Sequence, residues 1–276
     1  MKESRRNTKT HYGTVIRHRH FGLAIPALQW VPAPRYLMRR NVILGLAQRL
    51  MPGRLLEIGC GAGALLDDLA GMGFSSVGVD KSTSARRIAT AILDGTREVE
   101  IRETCQGLAL ESFDHLVAFE VLEHIEDDSA ALIEWARYLK QDGHLMVSVP
   151  AHPERWNPAD VWAGHYRRYR RKDLVDLVEM AGFKIELVQC YGFPLANIME
   201  RLIARVYAKQ TQKRGEKMNQ DDRTSASGSD RNLLTLIWPF YSSLLGTLTM
   251  RLVWKVQKVF LNGDRGIGYI IVARKY

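Results

Sequence analysis

Glu57-Ile58-Gly59-Cys60-Gly61-Ala62-Gly63 sets three glycines two positions apart behind a carboxylate, and a second carboxylate, Asp80, closes Val77-Gly78-Val79-Asp80. Glycine has no Cβ and reaches positive φ, so such a loop lets backbone approach a ligand closely. Ala64-Leu65-Leu66-Asp67-Asp68-Leu69-Ala70 reads as a helix opening directly behind it. The N-terminus of that helix offers unpaired N–H groups to an anionic ligand group. The stretch is a nucleotide-type pocket, and two ligand classes fit it. Gly59, Gly61 and Ala64 match the dinucleotide fingerprint G-x-G-x-x-G/A, with Asp80 at the interval of its ribose carboxylate. Glu57 and the closer glycine spacing favour a cationic ligand instead, such as a sulfonium carrying an ammonium group. A carboxylate at that place would repel a pyrophosphate.

Elements must hold these residues in place. Leu37, Met38, Val42, Leu46 and Leu50 recur at helical spacing over residues 35–50, and Arg54–Ile58 is the first strand of the domain. Strands at Ser76–Val79, Val99–Ile101, Phe113–Phe119 and His144–Val149 alternate with helices. One of these runs to Leu93, capped by Ser82 or Ser84, and another spans Ala130–Leu139, capped by Asp128. A helix over Lys172–Ala181, Gly182 and a strand over Phe183–Gln189 follow. The alternation predicts an α/β fold: a Rossmann-like doubly wound sheet of about seven strands, mostly parallel, with a helical cap.

The expected organisation is a basic N-terminal extension over residues 1–34, loose up to His20, then a core over 35–191. A cap helix over 192–208 (amphipathic at Ile198–Val206), a disordered insertion over 209–231 and apolar, basic cap helices over 232–262 come next. A closing strand over 263–276 returns to the sheet edge. Leu233–Met250 is charge-free, but it holds Pro239 and Gly246 and falls short of the ~20 apolar residues of a membrane span. It reads as a packed lid first, a membrane-surface contact second and a span last.

Taken together, Leu56 to Gly63, Asp80, Phe113-Asp114 and Phe119-Glu120-Val121-Leu122-Glu123-His124-Ile125 resemble the ubiquinone-biosynthesis-like (type 11/23) group of class I S-adenosylmethionine-dependent methyltransferases. Val149-Pro150-Ala151-His152-Pro153, Asp160 and Gly164-His165-Tyr166-Arg167-Arg168-Tyr169 are similar to a subgroup in which GHYRRY precedes the helix after strand 5. The resemblance implies S-adenosyl-L-methionine as cofactor. Its binding residues would be Arg39, Glu57, Gly59, Cys60, Gly61, Asp80, Lys81, Cys105, Gln106, Phe119 and Glu120. Asp80 would take the ribose hydroxyls, Cys105 and Gln106 the adenine, and Arg39 the methionine carboxylate.

Methyl transfer is an in-line displacement in which the cofactor brings the activation and the protein brings position and dryness. A hydroxyl or acidic carbon acceptor also needs a base, and histidine suits neutral pH. His165, His124 and His152 are the candidates, in that order. No Asn/Asp-Pro-Pro-Tyr signature follows the fourth strand, which disfavours methylation of nucleic-acid bases. Cys60, Cys105 and Cys190 lie far apart with no metal-ligand spacing, so no metal is expected, nor a disulfide framework.

The net charge of +9 is concentrated in residues 1–20 and 167–172. It suits anionic partners or a solvated face, with no specific nucleic-acid role. The basic, polar start carries no secretory pattern, so a cytoplasmic location is expected, with peripheral contact at the inner face of a membrane through residues 233–262. The expected acceptor is a small-molecule or lipid-linked metabolite, methylated at oxygen or carbon. An NAD(P)-dependent oxidoreductase and a non-catalytic cofactor-binding module remain the alternatives.

Overall fold

The computed structural model describes residues 7–96, 98–200, 204 and 232–276. The insertion expected over 209–231 lies outside the described residues, as does most of the cap helix beyond residue 200. In chain order the elements are β1 (Thr8–Thr10), β2 (Gly13–His18), β3 (Gly22–Ala24), α1 (Pro34–Ala47), β4 (Arg54–Ile58) and α2 (Ala64–Ala70). Then come β5 (Ser75–Val79), α3 (Thr83–Ile92), β6 (Val99–Arg102), β7 (Phe113–Phe119), α4 (Asp128–Ala136) and β8 (Leu139–Pro150). The remainder are α5 (Pro158–Ala163), α6 (Arg171–Met180), β9 (Phe183–Tyr191), α7 (Asn232–Tyr241), α8 (Leu244–Phe260) and β10 (Gly268–Lys275).

Seven strands form one sheet in the order β6-β5-β4-β7-β8-β10-β9. The pairs from β6 to β8 are parallel, and β10 runs antiparallel to both of its neighbours. Side chains alternate between two packed layers. Val117, Phe119, Ile270 and Val272 face one, while Leu116, Ala118, Ile271 and Ala273 face the other. Order reverses between β4 and β7, where the connections leave to opposite faces and open a crevice at the carboxyl ends of the strands. The glycine loop sits there.

Three expectations change. The closing strand does not take the sheet edge: β10 is inserted between β8 and β9, with Ile270 opposite both Ser148 and Gln189. Gly268 to Ala273 are buried without alternation, the pattern of a strand covered on both faces. The stretch up to His20 is not loose from Thr8 onward. Gly13 and Gly22, at φ of 118° and 81°, turn the chain into the three-stranded sheet β1-β2-β3, and Arg17 ties it to Asp67 of α2. Asp127, not Asp128, caps α4: its Oδ1 accepts from the N–H of Ala130 at 2.8 Å. That helix stops at Ala136 because β8 already begins at Leu139. A bulge over residues 140–143, opposite Asp114, then restores the register at His144.

Candidate active site

Gly59, Gly61 and Gly63 all adopt positive φ, at 69°, 54° and 68°. Two of them are glycine for internal reasons. A Cβ at Gly59 would lie 2.4 Å from Val121, and one at Gly63 would lie 2.8 Å from Leu93. At Gly61 a Cβ would meet nothing within 4 Å, so the loop leaves open space there. Asp80 fixes the loop from the end of β5: Oδ2 accepts from the N–H of Gly61 and Oδ1 from that of Ser82, each at 2.8 Å. Each carboxylate oxygen keeps a further lone pair for a ligand hydroxyl. Cys60 is buried, and burial holds its thiol protonated, so it packs and does not act as a nucleophile. Lys81 is exposed beside Asp80. Cys105 and Gln106 lie in the turn after β6, the strand paired with β5.

Opposite the loop, a charged cluster surrounds Glu120, which directly follows β7 at a φ of 58°. Arg35 donates to Oε2 at 2.8 Å, and Arg39 lies 3.3 Å from Oε1. Tyr191 and Ser148 donate to Oε1 at 3.0 and 3.1 Å. Burial would raise the Glu120 pKa, yet Arg39, Arg35 and Tyr191 bring it down to about 2. Glu57 has less help. Burial outweighs the attraction of Arg39, and the charge of Asp80 adds to it, so its pKa rises to about 8. Glu57 Oε2 and Arg39 Nε are buried with no hydrogen-bond partner among the described residues. An anionic group beside Arg39 and a cationic one beside Glu57 would satisfy both, which is the polarity of a zwitterionic amino-acid moiety. The site thus fits the methionyl part of S-adenosylmethionine.

The three histidines separate. His165 and His124 meet edge to face, with ring centroids 4.7 Å apart. His165 Nδ1 lies 2.9 Å from Asp160 Oδ1. Asp160 also accepts two bonds from Arg168 and one from the backbone of Asn157, and Arg168 reaches on to Glu200 at 2.7 Å. Burial works against an ionised Asp160, but His165 and Arg168 hold its pKa at about 2. An ionised Asp160 makes Nδ1 the donor and leaves Nε2 free to accept a proton. Nε2 lies 3.9 Å from Glu123, whose carboxylate oxygens are fully buried with no hydrogen-bond partner among the described residues. Burial and the neighbouring charge of Glu120 keep that carboxyl protonated. His124 is pushed down to about 4 by burial and by His165, which makes it a weak base. His152 stands elsewhere, grouped with Cys190 and Asp264.

Sequence spacing pointed to no metal-ligand set; in the fold two groups each bring ligand-type atoms within 4.8 Å of one another, Glu123 with His124 and His165, and His152 with Cys190 and Asp264. The roles of Arg35, Glu123, Asp160, Arg168 and Tyr191 went unread in the sequence. Glu123, Asp160 and Arg168 stood in the quoted motifs without a role, and Arg35 left the signal of lying one helical turn before Arg39 on the same face of α1.

The family described as methyltransferase domain matches residues 33–188. The ubiquinone biosynthesis O-methyltransferase of Paracidovorax citrulli is 35% identical over 118 residues, 41% of this chain and 49% of that protein. The chain spans about half the length of the curated relatives it matches. The phosphoethanolamine N-methyltransferase 2 of Haemonchus contortus, solved with S-adenosyl-L-methionine, superposes with a TM-score of 0.53 at 18% identity. That match covers 86% of this chain and 52% of the other. The (4+2)-cyclase SpnF superposes at 0.54 with 19% identity, over 87% and 82% of the two chains. Likeness at such identities is a likeness of fold, and a cyclase among the neighbours shows that the fold carries more than one chemistry.

Proposed function

The chain belongs to the methyltransferase domain family, and from that premise we propose that it is an S-adenosyl-L-methionine-dependent methyltransferase acting on oxygen or carbon of a small or lipid-linked amphiphile. The observation that carries this reading is the open backbone at Gly61, set between Asp80 and the two buried orphan atoms of Glu57 and Arg39. The family match and the paired orphan atoms of Glu57 and Arg39, which suit a zwitterion, favour this cofactor over a phosphate-bearing dinucleotide.

Asp80 would accept the ribose hydroxyls. Gly59, Cys60, Lys81, Cys105 and Gln106 would border the adenosyl part, and Glu57, Arg39, Phe119 and Glu120 the methionyl part. S-adenosylmethionine, when bound, supplies an electrophilic methyl group and retains the departing electron pair on sulfur. His165 Nε2 would take the proton of an acceptor hydroxyl or acidic carbon. Asp160 holds the required tautomer and balances the resulting imidazolium. His124, neutral through the working range, packs against that ring. Peripheral contact with the inner face of a membrane, through residues 233–262, belongs to the same reading.

Calorimetric titration tests the cofactor. S-adenosylmethionine and S-adenosylhomocysteine should bind, and Gly61→Ala, whose Cβ meets nothing in the protein and whose positive φ costs about 1–2 kcal/mol of backbone strain, should still fold and lose affinity at least about tenfold. Binding of NAD(H) alone would sink the reading. With a hydroxylated amphiphile as acceptor, His165→Gln should lower kcat by about a hundredfold or more while leaving cofactor affinity in place. Cofactor binding without turnover on any such acceptor points to the non-catalytic module.

A further inference from the structure

The outer face of α7 and α8 is apolar and open to solvent. Leu236, Ile237 and Phe240 on α7 and Leu244, Leu245, Leu248 and Leu252 on α8 are exposed, Phe240 by 77% and Leu244 by 78%. Leu244, Leu248 and Leu252 recur every four residues, so they form one stripe along the helix. The inner face is already satisfied: Trp238 packs edge to face on Phe21, as does Trp254, and Gln257 donates to the carbonyl of Met38. No Asp or Glu occurs from residue 232 to 263, whereas Arg251, Lys255 and Lys258 are exposed along α8 and Arg19 is exposed just after β2. A patch of this extent on a soluble surface marks an interaction site. Its charge is one-signed, which selects an anionic partner.

We propose that this face docks on the surface of a bilayer carrying anionic phospholipids, with α7 and α8 lying in the plane of the headgroups. No helix among the described residues is long and apolar enough to cross a membrane. The leucines enter the acyl boundary, and the lysines and arginines meet lipid phosphates. The same helix reaches the site. Gln257 accepts from the N–H of Gly192 at 2.9 Å, next to Tyr191, whose hydroxyl bonds to Glu120. One helix therefore separates the docked face from residues of the proposed cofactor pocket. This partner rests on the proposed lipid-linked acceptor and names the surface that would deliver it.

The test is co-sedimentation of the full chain with vesicles of phosphatidylcholine alone and of phosphatidylcholine with about a third phosphatidylglycerol. Wild type should pellet with the anionic vesicles, less with the neutral ones, and less as salt rises. Leu248→Glu with Leu252→Glu should lower the partition at least about tenfold. Lys255→Glu with Lys258→Glu should remove the preference for anionic lipid. Wild type left in the supernatant with both vesicles, or leucine variants that pellet like wild type, would overturn the proposal. So would a wild-type dimer that the leucine changes turn into monomer with no effect of lipid, since the face would then join two copies. S-adenosylhomocysteine titration of the same samples separates the two readings. Cofactor binding without vesicle binding fails the docking alone, and vesicle binding without cofactor binding fails the enzyme alone.

Discussion

Burial holds the Glu57 carboxyl neutral to about pH 8, with Arg39 opposing and Asp80 assisting. Because the folded pKa lies above the ordinary 4.5, this group favours the fold fully below that value, and the contribution is lost as pH rises through 8. Wild-type stability should therefore decline by a few kcal/mol between about pH 5 and pH 8, relative to Glu57→Gln. Chemical denaturation of both proteins across that range checks the sign, and parallel curves would remove Glu57 as the cause. The same carboxyl should release a proton when a cationic ligand arrives, visible as a buffer-dependent binding enthalpy. Glu57, the glycines and Asp80 were legible in the sequence because they lie on one strand–turn–helix unit and its neighbour. The partners of Glu120 were not, since Arg35 and Tyr191 stand 85 and 71 residues away and only the fold brings them to one carboxylate. Asp160 and His165 are five residues apart, yet their contact depends on the turn at Gly164, where φ is 76°.

At the scale of elements, the strands and helices followed from apolar runs and turn residues, whereas the placing of the last strand did not. An apolar run without alternation fits a covered strand, but it does not say which neighbours cover it. In the structure β10 separates β8 from β9 and brings two glycines against Tyr191. A Cβ at Gly268 would lie 2.5 Å from the tyrosine ring, and one at Gly266 would lie 2.1 Å from its carbonyl oxygen. Gly268→Ala should thus do two things. It should destabilise the protein by about 1–3 kcal/mol through overpacking. It should also weaken S-adenosylhomocysteine binding, because Tyr191 is pushed from Glu120. A melting curve and a titration on one sample read both effects, and lost stability with intact affinity would break the link between strand and site.

For the whole molecule, the two hydrophobic layers depend on parts outside the matched family segment. Phe21 and Trp30 before it, and Trp238, Ile270 and Val272 after it, belong to the layer that holds Leu65 and Leu66 beneath the glycine loop. A fragment of residues 33–188 keeps the whole loop, Asp80, Glu120 and His165, but it lacks β10 and the covering β1–β3 sheet. It should show no cooperative thermal transition by circular dichroism and no cofactor binding. A sharp melt of that fragment would show that the added parts are ornament.

The position of β10 also has a consequence in time. A ribosome makes β8 and β9 well before it reaches Gly268, yet β9 pairs with no strand but β10 among the described residues. Until residues 268–275 have emerged, the nascent protein holds two open strand edges that attract one another wrongly, or attract other chains. Translation that stops short of β10 leaves a polypeptide carrying every cofactor-contacting side chain proposed above and no finished sheet to hold them. For the cell that is a substrate for chaperones and proteases, and not a weaker form of the enzyme.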